Sequence, residues 1–481
     1  QDSGMRVLLV STYELGHQPL HVASPAAALE RAGHRVSALD LSVEQWDPQL
    51  IDDADAVAVS VPMHTAMRLA LEAAGLVREQ RPGLPVCLYG LYAGTSHDTV
   101  VGTLADRVIS GEYEPALLEW VGSLDGHGST DGADAAAGRN SSEQIVHLGR
   151  GRFDVPARHL LPPLERYARL SDGDEERLVG YVEASHGCTF SCRHCPVPTV
   201  YGGRIRIVDI DTILADIDQL VAAGATHITF GDPDFLNGVH HSRRVVAALH
   251  ERHPHLSFDC TTKVELILRH RDVWADFADA GCRFVVSAFE TVDDHVLEIL
   301  DKGHTRADMA EATAVLRSHR IEVRPSLLPF TPWTTLASLV ELMDFVADHD
   351  LIGNVDPVHY SIRLLVPEDS LLVDHPAMGP HLGRYVADQL GYEWSSADPR
   401  TDELQVRVAA VVERAAAVDQ PLATTFAEVD ALVRAAAGME PRHTPIDADV
   451  AARAQSRPRL TEAWFCCAEP TEMQRRPLGE R

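Results

Sequence analysis

Three cysteines fall close together in the stretch SHGCTFSCRHCPVP: Cys188, Cys192 and Cys195, spaced C-x3-C-x2-C. Cysteine thiolates ligate iron–sulfur clusters, and three of them leave the fourth iron of a [4Fe–4S] cluster open to a substrate or a second cofactor. Zinc is the competing metal. A closed structural zinc site needs a fourth ligand, which His194 can supply, whereas a catalytic one keeps a position open. Location favours the cluster, because the triad directly follows an apolar strand-like segment, LVGYVEAS, on the kind of loop where barrel enzymes do their chemistry. A second pair, Cys466 and Cys467 in WFCCAEP, is vicinal. Adjacent cysteines rarely close a relaxed disulfide. The pair reads as small buried apolar groups, as a redox couple, or as a soft donor pair for a thiophilic centre.

Such residues need a scaffold, and 481 residues exceed one ordinary domain. MRVLLVST, RVSALDL, DAVAVSVP, PVCLYGL and DRVISG read as buried strands. Helical stretches alternate with them, among them ASPAAALERAGH, with Ser24 as N-cap and Gly33 past its end, and TAMRLALEAAGLVREQ. That alternation predicts an α/β fold, with a doubly wound Rossmann-like domain over 5–121 whose ligand loops are 12–18, 62–65 and 90–95. Residues 122–144, rich in Gly, Ser, Asp and Ala, read as a flexible linker. A Pro-rich connector and a second α/β series occupy 145–374. Its strands LVGYVEAS, HITFGD, LSFDCTT, CRFVVSAFE, EVRPSLLPF and VHYSIRLL predict a partial (β/α)6 barrel. Residues 375–481 read as a helical region ending in the Cys-Cys tail.

The charge of -29, from 71 acidic against 42 basic side chains, repels phosphate backbones and argues against nucleic-acid binding. No apolar run approaches the ~20 residues needed to cross a bilayer. The N-terminus lacks the pattern of a secretory signal, and QDSG reads as an expression scar. Eight clustered cysteines suit metal or redox chemistry in a reducing cytoplasm.

Cys188-Thr-Phe-Ser-Cys192-Arg-His-Cys195 resembles the motif of the radical S-adenosylmethionine (SAM) superfamily, and the resemblance runs from about 182 to 367. It implies that the open iron chelates the methionine amine and carboxylate of SAM. One electron, from an external flavodoxin- or ferredoxin-type reductant, then cleaves a carbon–sulfur bond, usually giving a 5′-deoxyadenosyl radical. Phe190 would pack beside the cofactor. Gly231, Asp232 and Asp234 in THITFGDPDF stand where the family has a Gly-Gly-Glu-type element for the SAM amine, and they depart from it. Ser287 and Glu290 match positions that bind the SAM ribose or carboxylate. Arg324 and Arg363 would meet the SAM carboxylate or a substrate anion. Each acid could instead be an ordinary loop carboxylate capping a helix, and each arginine reads equally as half of a structural ion pair. Trp333 in FTPWTT, Asp259 and Lys263 are read both as packing and as site groups.

The N-terminal domain resembles that of the cobalamin-type radical SAM class, through Gly111, Glu112 and Glu114 of ISGEYEP. The Asp-x-His-x-x-Gly signature is absent, and YGLYAGT departs from the usual Gly-Gly-x-His, so cobalamin is a candidate rather than a required cofactor. His17 and His64 could approach a ligand at the strand ends, but the preferred expectation is that they are solvated loop residues. The tail resembles that of CUAEP/CCAEP-tail radical SAM proteins, in which selenocysteine replaces one cysteine, and this implies a chemical task for the pair. Radical SAM enzymes of arsenic natural-product pathways, including arsinothricin biosynthesis, suggest one. The leading expectation is transfer of an SAM-derived group, such as 3-amino-3-carboxypropyl, to a thiophilic acceptor such as arsenite held at Cys466 and Cys467. A cobalamin-dependent methyltransferase acting on a natural-product carbon is the alternative. A non-catalytic metal or metalloid binding protein is the alternative from another class.

Overall fold

A computed structural model describes residues 4–94, 101–124, 145–147, 153–442 and 448–462. The expected strands of the first domain form: β1 (Arg6–Ser11), β2 (Arg35–Asp40), β3 (Ala56–Ser60), β4 (Val86–Tyr89) and β5 (Arg107–Gly111), mostly buried apolar runs apart from the half-buried edge strand β2. With β6 (Ile145–His147) they make a parallel sheet of order β2-β1-β3-β4-β5-β6. The order reverses at β1, where the chain crosses to β2 on one side and returns to β3 on the other, and such sheets hold ligands at that point. One residue departs from expectation. The first helix begins at Leu20, so Ser24 lies inside it and donates to Glu114 Oε1 at 2.7 Å instead of capping.

Contacts divide the chain into two compact units. The first runs to Tyr167 and takes in Ala387–Leu390; the second comprises Ala168–Val386 and the described chain from Gly391 onward. The connector therefore belongs to the first unit: the Tyr167 hydroxyl donates to Asp40 at 2.8 Å, and Gln18 Nε2 donates to the Pro162 carbonyl at 2.9 Å. Of the expected linker, 122–124 complete the helix Glu114–Leu124, and 125–144 lie outside the described residues.

The second unit is built on a seven-stranded sheet of order β14-β13-β12-β11-β8-β7-β17. Five parallel strands form a partial barrel: β8 (Glu175–Val182), β11 (His227–Phe230), β12 (Ser257–Thr261), β13 (Cys282–Glu290) and β14 (Glu322–Leu327). Gly180 lets a helix press on β8, since a Cβ there would lie 2.8 Å from Leu220. The sixth expected strand, VHYSIRLL, does not form. Pro357 carries no N–H and starts a 3-10 turn, Pro357–Tyr360, and only the isolated Phe330–Arg363 bridge remains of the pairing. The sheet closes instead on its other edge, where β7 (Arg169–Asp172) pairs antiparallel with β8, and β17 (Arg459–Leu460) pairs antiparallel with β7. Leu460 packs with Leu170, Val179, Phe284 and Val286 in one apolar cluster. The region after 374 is not wholly helical, because β15 (Leu382–Val386) and β16 (Gly391–Trp394) form a hairpin before the helices Pro399–Ala417 and Leu422–Ala436.

Candidate active site: the cysteine loop of the barrel

β8 ends at Val182, and a short β9 (Ser185–Gly187) turns back to pair with β10 (Ile205–Ile207), so the three cysteines lie on the loop between them. Gly187 makes this crossing possible. Its φ is +80°, and a Cβ would meet the Arg204 carbonyl oxygen at 2.3 Å. Asp232, just past β11, fixes the base of the loop by accepting the Ala184 N–H at 2.8 Å and the Ser185 hydroxyl at 2.5 Å. Burial pushes its pKa up to about 7 against these bonds. Asp234 does the same one strand over, accepting from Thr262 Oγ1, the Lys263 N–H and the Leu236 N–H; burial raises its pKa to about 6. Gly231 is needed because the Tyr181 ring would stand 2.0 Å from a Cβ. The three Gly-Glu-element candidates thus shape the loop's floor.

The thiols differ in surroundings. Cys188 is partly exposed and bonded by the Asn237 side chain, which also accepts the Thr189 hydroxyl at 2.6 Å; burial raises the thiol pKa to about 11. Cys192 is buried, and burial raises its pKa while the charges of Lys302 and Lys263 oppose the rise. Cys195 is near enough to both to add to each rise. The other described thiols, Cys87, Cys260 and Cys282, are buried in strands. The donor set is three soft thiols and no fourth among the described residues, which fits a cluster with one open iron. His194, the possible fourth zinc ligand, is held through Nε2, 3.0 Å from Glu290 Oε1.

Glu290 ends β13 with φ +62°, an uncommon conformation for a residue with a Cβ. The same oxygen meets Lys302 Nζ at 3.0 Å. Burial would raise the carboxyl's pKa, but the Lys302 and His194 charges reverse the sign and hold it well below the usual carboxylate range. Lys302, with no local signal in LEILDKGHT, is the site residue the sequence did not disclose. Phe190 lies under a second buried cation, with Lys263 Nζ 3.7 Å from its ring centroid.

Strand alternation puts Ser287 on the face opposite Phe284 and Val286; it is fully buried, and its Oγ has no hydrogen-bond partner among the described residues. Arg324 pairs with Asp356 and donates to the Gly353 and Pro458 carbonyls. Arg363 pairs with Asp402 at 2.8 Å and stacks on Trp394, its guanidinium carbon 3.6 Å from the ring centroid. Both arginines therefore adopt the structural ion pairing that the sequence left open. Asp259 is engaged below the site with His227 Nε2 at 2.8 Å, and Trp333 donates to the Ala377 carbonyl. Cys466 and Cys467 lie outside the described residues.

At the carboxyl edge of the N-terminal sheet the rim is made of backbone and hydroxyls. Gly90, at φ +122°, ends β4 against β3, where a Cβ would lie 2.8 Å from the Val61 oxygen, and Gly111 ends β5 at φ +78°. Bare backbone of this kind lets a large planar ligand approach the strand ends. Glu14 and Glu112 are buried here, and the Ser60 hydroxyl donates to Glu14 at 3.4 Å. The histidines expected in solvent are not there. His17 and His64 are both buried; His64 Nε2 lies 3.0 Å from the Gln389 carbonyl, and its ring meets Tyr92 edge-on.

Two family models match the chain: the radical SAM superfamily over residues 182–346, and the B12 binding domain over 6–121. The chain carries a B12-binding domain followed by a radical SAM domain. These domains imply a [4Fe–4S] cluster and SAM in the barrel and cobalamin at the N-terminal sheet. A hopanoid C-3 methylase of Methylococcus capsulatus is 24% identical over 338 residues, 66% of this chain and 62% of that protein. The cobalamin-dependent SAM radical enzyme OxsB has a similar fold, with a TM-score of 0.69 at 16% identity, over 85% of this chain and 66% of that one. The methyltransferase TsrM of Kitasatospora setae gives 0.56 at 18%, over 72% and 73%. The chain thus spans under two thirds of the methylase and of OxsB. Among the described residues no helix is long and apolar enough to cross a membrane.

Proposed function

We propose that this chain is a cobalamin-dependent radical SAM methyltransferase acting on a carbon of a small-molecule substrate, with an external flavodoxin- or ferredoxin-type reductant. The observation that carries this reading is the pairing, in one chain, of a B12-binding domain with a cysteine loop offering three thiols and no fourth. When bound, the reduced cluster supplies the electron that cleaves SAM, and cobalamin supplies a methyl group. The protein's own part is to hold Cys188, Cys192 and Cys195 on a loop fixed by Asp232, and to shield them with Phe190 and Lys263. The methylase relative supports carbon as the acceptor.

A second reading keeps the tail as the acceptor site, with Cys466 and Cys467 presenting a thiophilic atom, arsenite in the extreme case, to an SAM-derived aminocarboxypropyl group. It is supported by the direction of β17. That strand is antiparallel to β7, which is antiparallel to β8, so the chain leaves Leu460 heading the way β8 heads toward the cysteine loop.

Anaerobic reconstitution followed by SAM and a strong reductant, with and without cobalamin and arsenite, separates the two. S-adenosylhomocysteine together with 5′-deoxyadenosine, the former dependent on cobalamin, is the expected outcome. 5′-Methylthioadenosine that rises with arsenite, and is lost in Cys466→Ala/Cys467→Ala, would overturn methyl transfer in favour of the tail.

A further inference from the structure

The cysteine loop is fastened along one side. The Ser191 hydroxyl donates to Asp301 at 2.7 Å, the Arg193 N–H to the Leu300 carbonyl at 3.0 Å, and Arg193 Nη1 to the Glu298 and Ile299 carbonyls at 3.1 and 2.6 Å. On that same side His194 and Lys302 converge on Glu290 Oε1. Lys302 is only 3% exposed, and a buried ammonium needs a partner. Glu290 is that partner. Because Ser191 and Arg193 are bonded to Asp301 and Leu300, Cys192 between them is held against the residues directly before Lys302. Electrostatically, Lys302 interacts with both Cys192 and Cys195. Cys188 has the opposite surroundings, the Asn237 side chain and the Asp234 carboxylate. The remaining titratable groups nearby are His304, which is neutralised by burial and the lysine charges, and Glu265, 3.7 Å from Lys263.

We propose that Lys302, held in place by Glu290, is a positioning residue that sets the reduction potential of the cluster through its buried charge beside Cys192 and Cys195. The inference rests on the reading that the three cysteines hold a [4Fe–4S] cluster. Reduction adds one electron from the external reductant and no proton, so the reduced cluster carries one more negative charge. A fixed cation close by in a low-dielectric interior stabilises that form and raises the potential.

The test is an EPR-monitored redox titration of the reconstituted full chain without SAM, alongside iron and sulfide per chain. Leaving SAM out prevents a lost contact with SAM from imitating the effect. Lys302→Met is expected to load iron and to titrate at a more negative potential than wild type, with Lys302→Arg near wild type and Lys302→Met/Glu290→Gln between them. An unmoved or more positive potential in Lys302→Met, or Lys302→Arg behaving like Lys302→Met, overturns the proposal. Should Lys302→Met fail to fold or load, the double variant decides: a potential below that of Lys302→Arg supports it, and an equal one overturns it. A wild-type chain that assembles no SAM-binding cluster would sink the functional reading itself, whereas a normal cluster indifferent to Lys302 sinks only this inference.

Discussion

The two large sheets of this chain present the carboxyl ends of their parallel strands in different ways. The N-terminal sheet ends in glycines and in buried carboxylates and hydroxyls bonded to one another, such as Ser60 to Glu14. The barrel ends in thiols, with a buried lysine, histidine and glutamate sharing one oxygen. A ligand held by the first rim is met by backbone and shape, since glycine lets the main chain come close. A ligand held by the second is met by donor atoms and fixed charge. Two α/β sheets of different strand order therefore serve two cofactor chemistries, and the residues at the strand ends suit each to its own.

The largest effect should fall on the barrel. Cys188→Ala, Cys192→Ala and Cys195→Ala are each expected to lose the cluster's visible absorbance and at least about a hundredfold of SAM cleavage, since all three thiolates are needed to leave one iron open. Cobalamin binding to the same variants should be unchanged, and a parallel loss of it would break the contrast between the two rims.

Glycine substitutions come next and act at both ends. Gly187→Ala places a methyl 2.3 Å from the Arg204 oxygen at positive φ, and Gly90→Ala places one 2.8 Å from the Val61 oxygen. Each should cost about 1–3 kcal/mol in denaturant melts. Iron loading should fall for the first and cobalamin affinity for the second; the reverse pattern would undo the assignment of ligands to sheets.

A smaller effect follows from Asp232 and Asp234, whose pKa values burial raises to about 7 and 6. A carboxyl raised on folding binds its proton more tightly in the native state. Its contribution is therefore fully present below the unfolded pKa near 3.8 and is lost as pH rises toward 7. The melting temperature of the apo-protein should fall across that window, and Asp232→Asn should flatten the fall. The smallest change is expected from Ser287→Ala. Removing a buried hydroxyl that has no partner should alter stability by no more than about 1 kcal/mol. A tenfold loss of SAM affinity would instead return Ser287 to the ribose-binding role its position suggested.

Much of this was legible because periodicity and spacing are local. Runs such as RVLLVS and HITF announce strands buried on both faces, and C-x3-C-x2-C announces the cluster loop wherever it lies in space. What stayed hidden depends on partners far along the chain. Lys302 acquires its role from Glu290 and Cys192, Arg324 is claimed by Asp356, and the VHYSIRLL segment looked like a strand until Pro357 turned it. The closing strand was also hidden, since two residues, Arg459 and Leu460, carry no strand signal of their own and pair only because β7 offers them a free edge.

That pairing has a practical side for anyone making the protein. An unpaired sheet edge exposes N–H and C=O groups that another chain can use, and sheets left open in this way self-associate. β17 covers β7 with its last described strand residues before the Cys-Cys ending. A tail trimmed after Glu462 should leave that cover intact, whereas one cut before Arg459 would strip β7 and uncover Leu170 and Val179. Such a chain is expected to come off a sizing column as aggregate, even though every residue of the cysteine loop is still present.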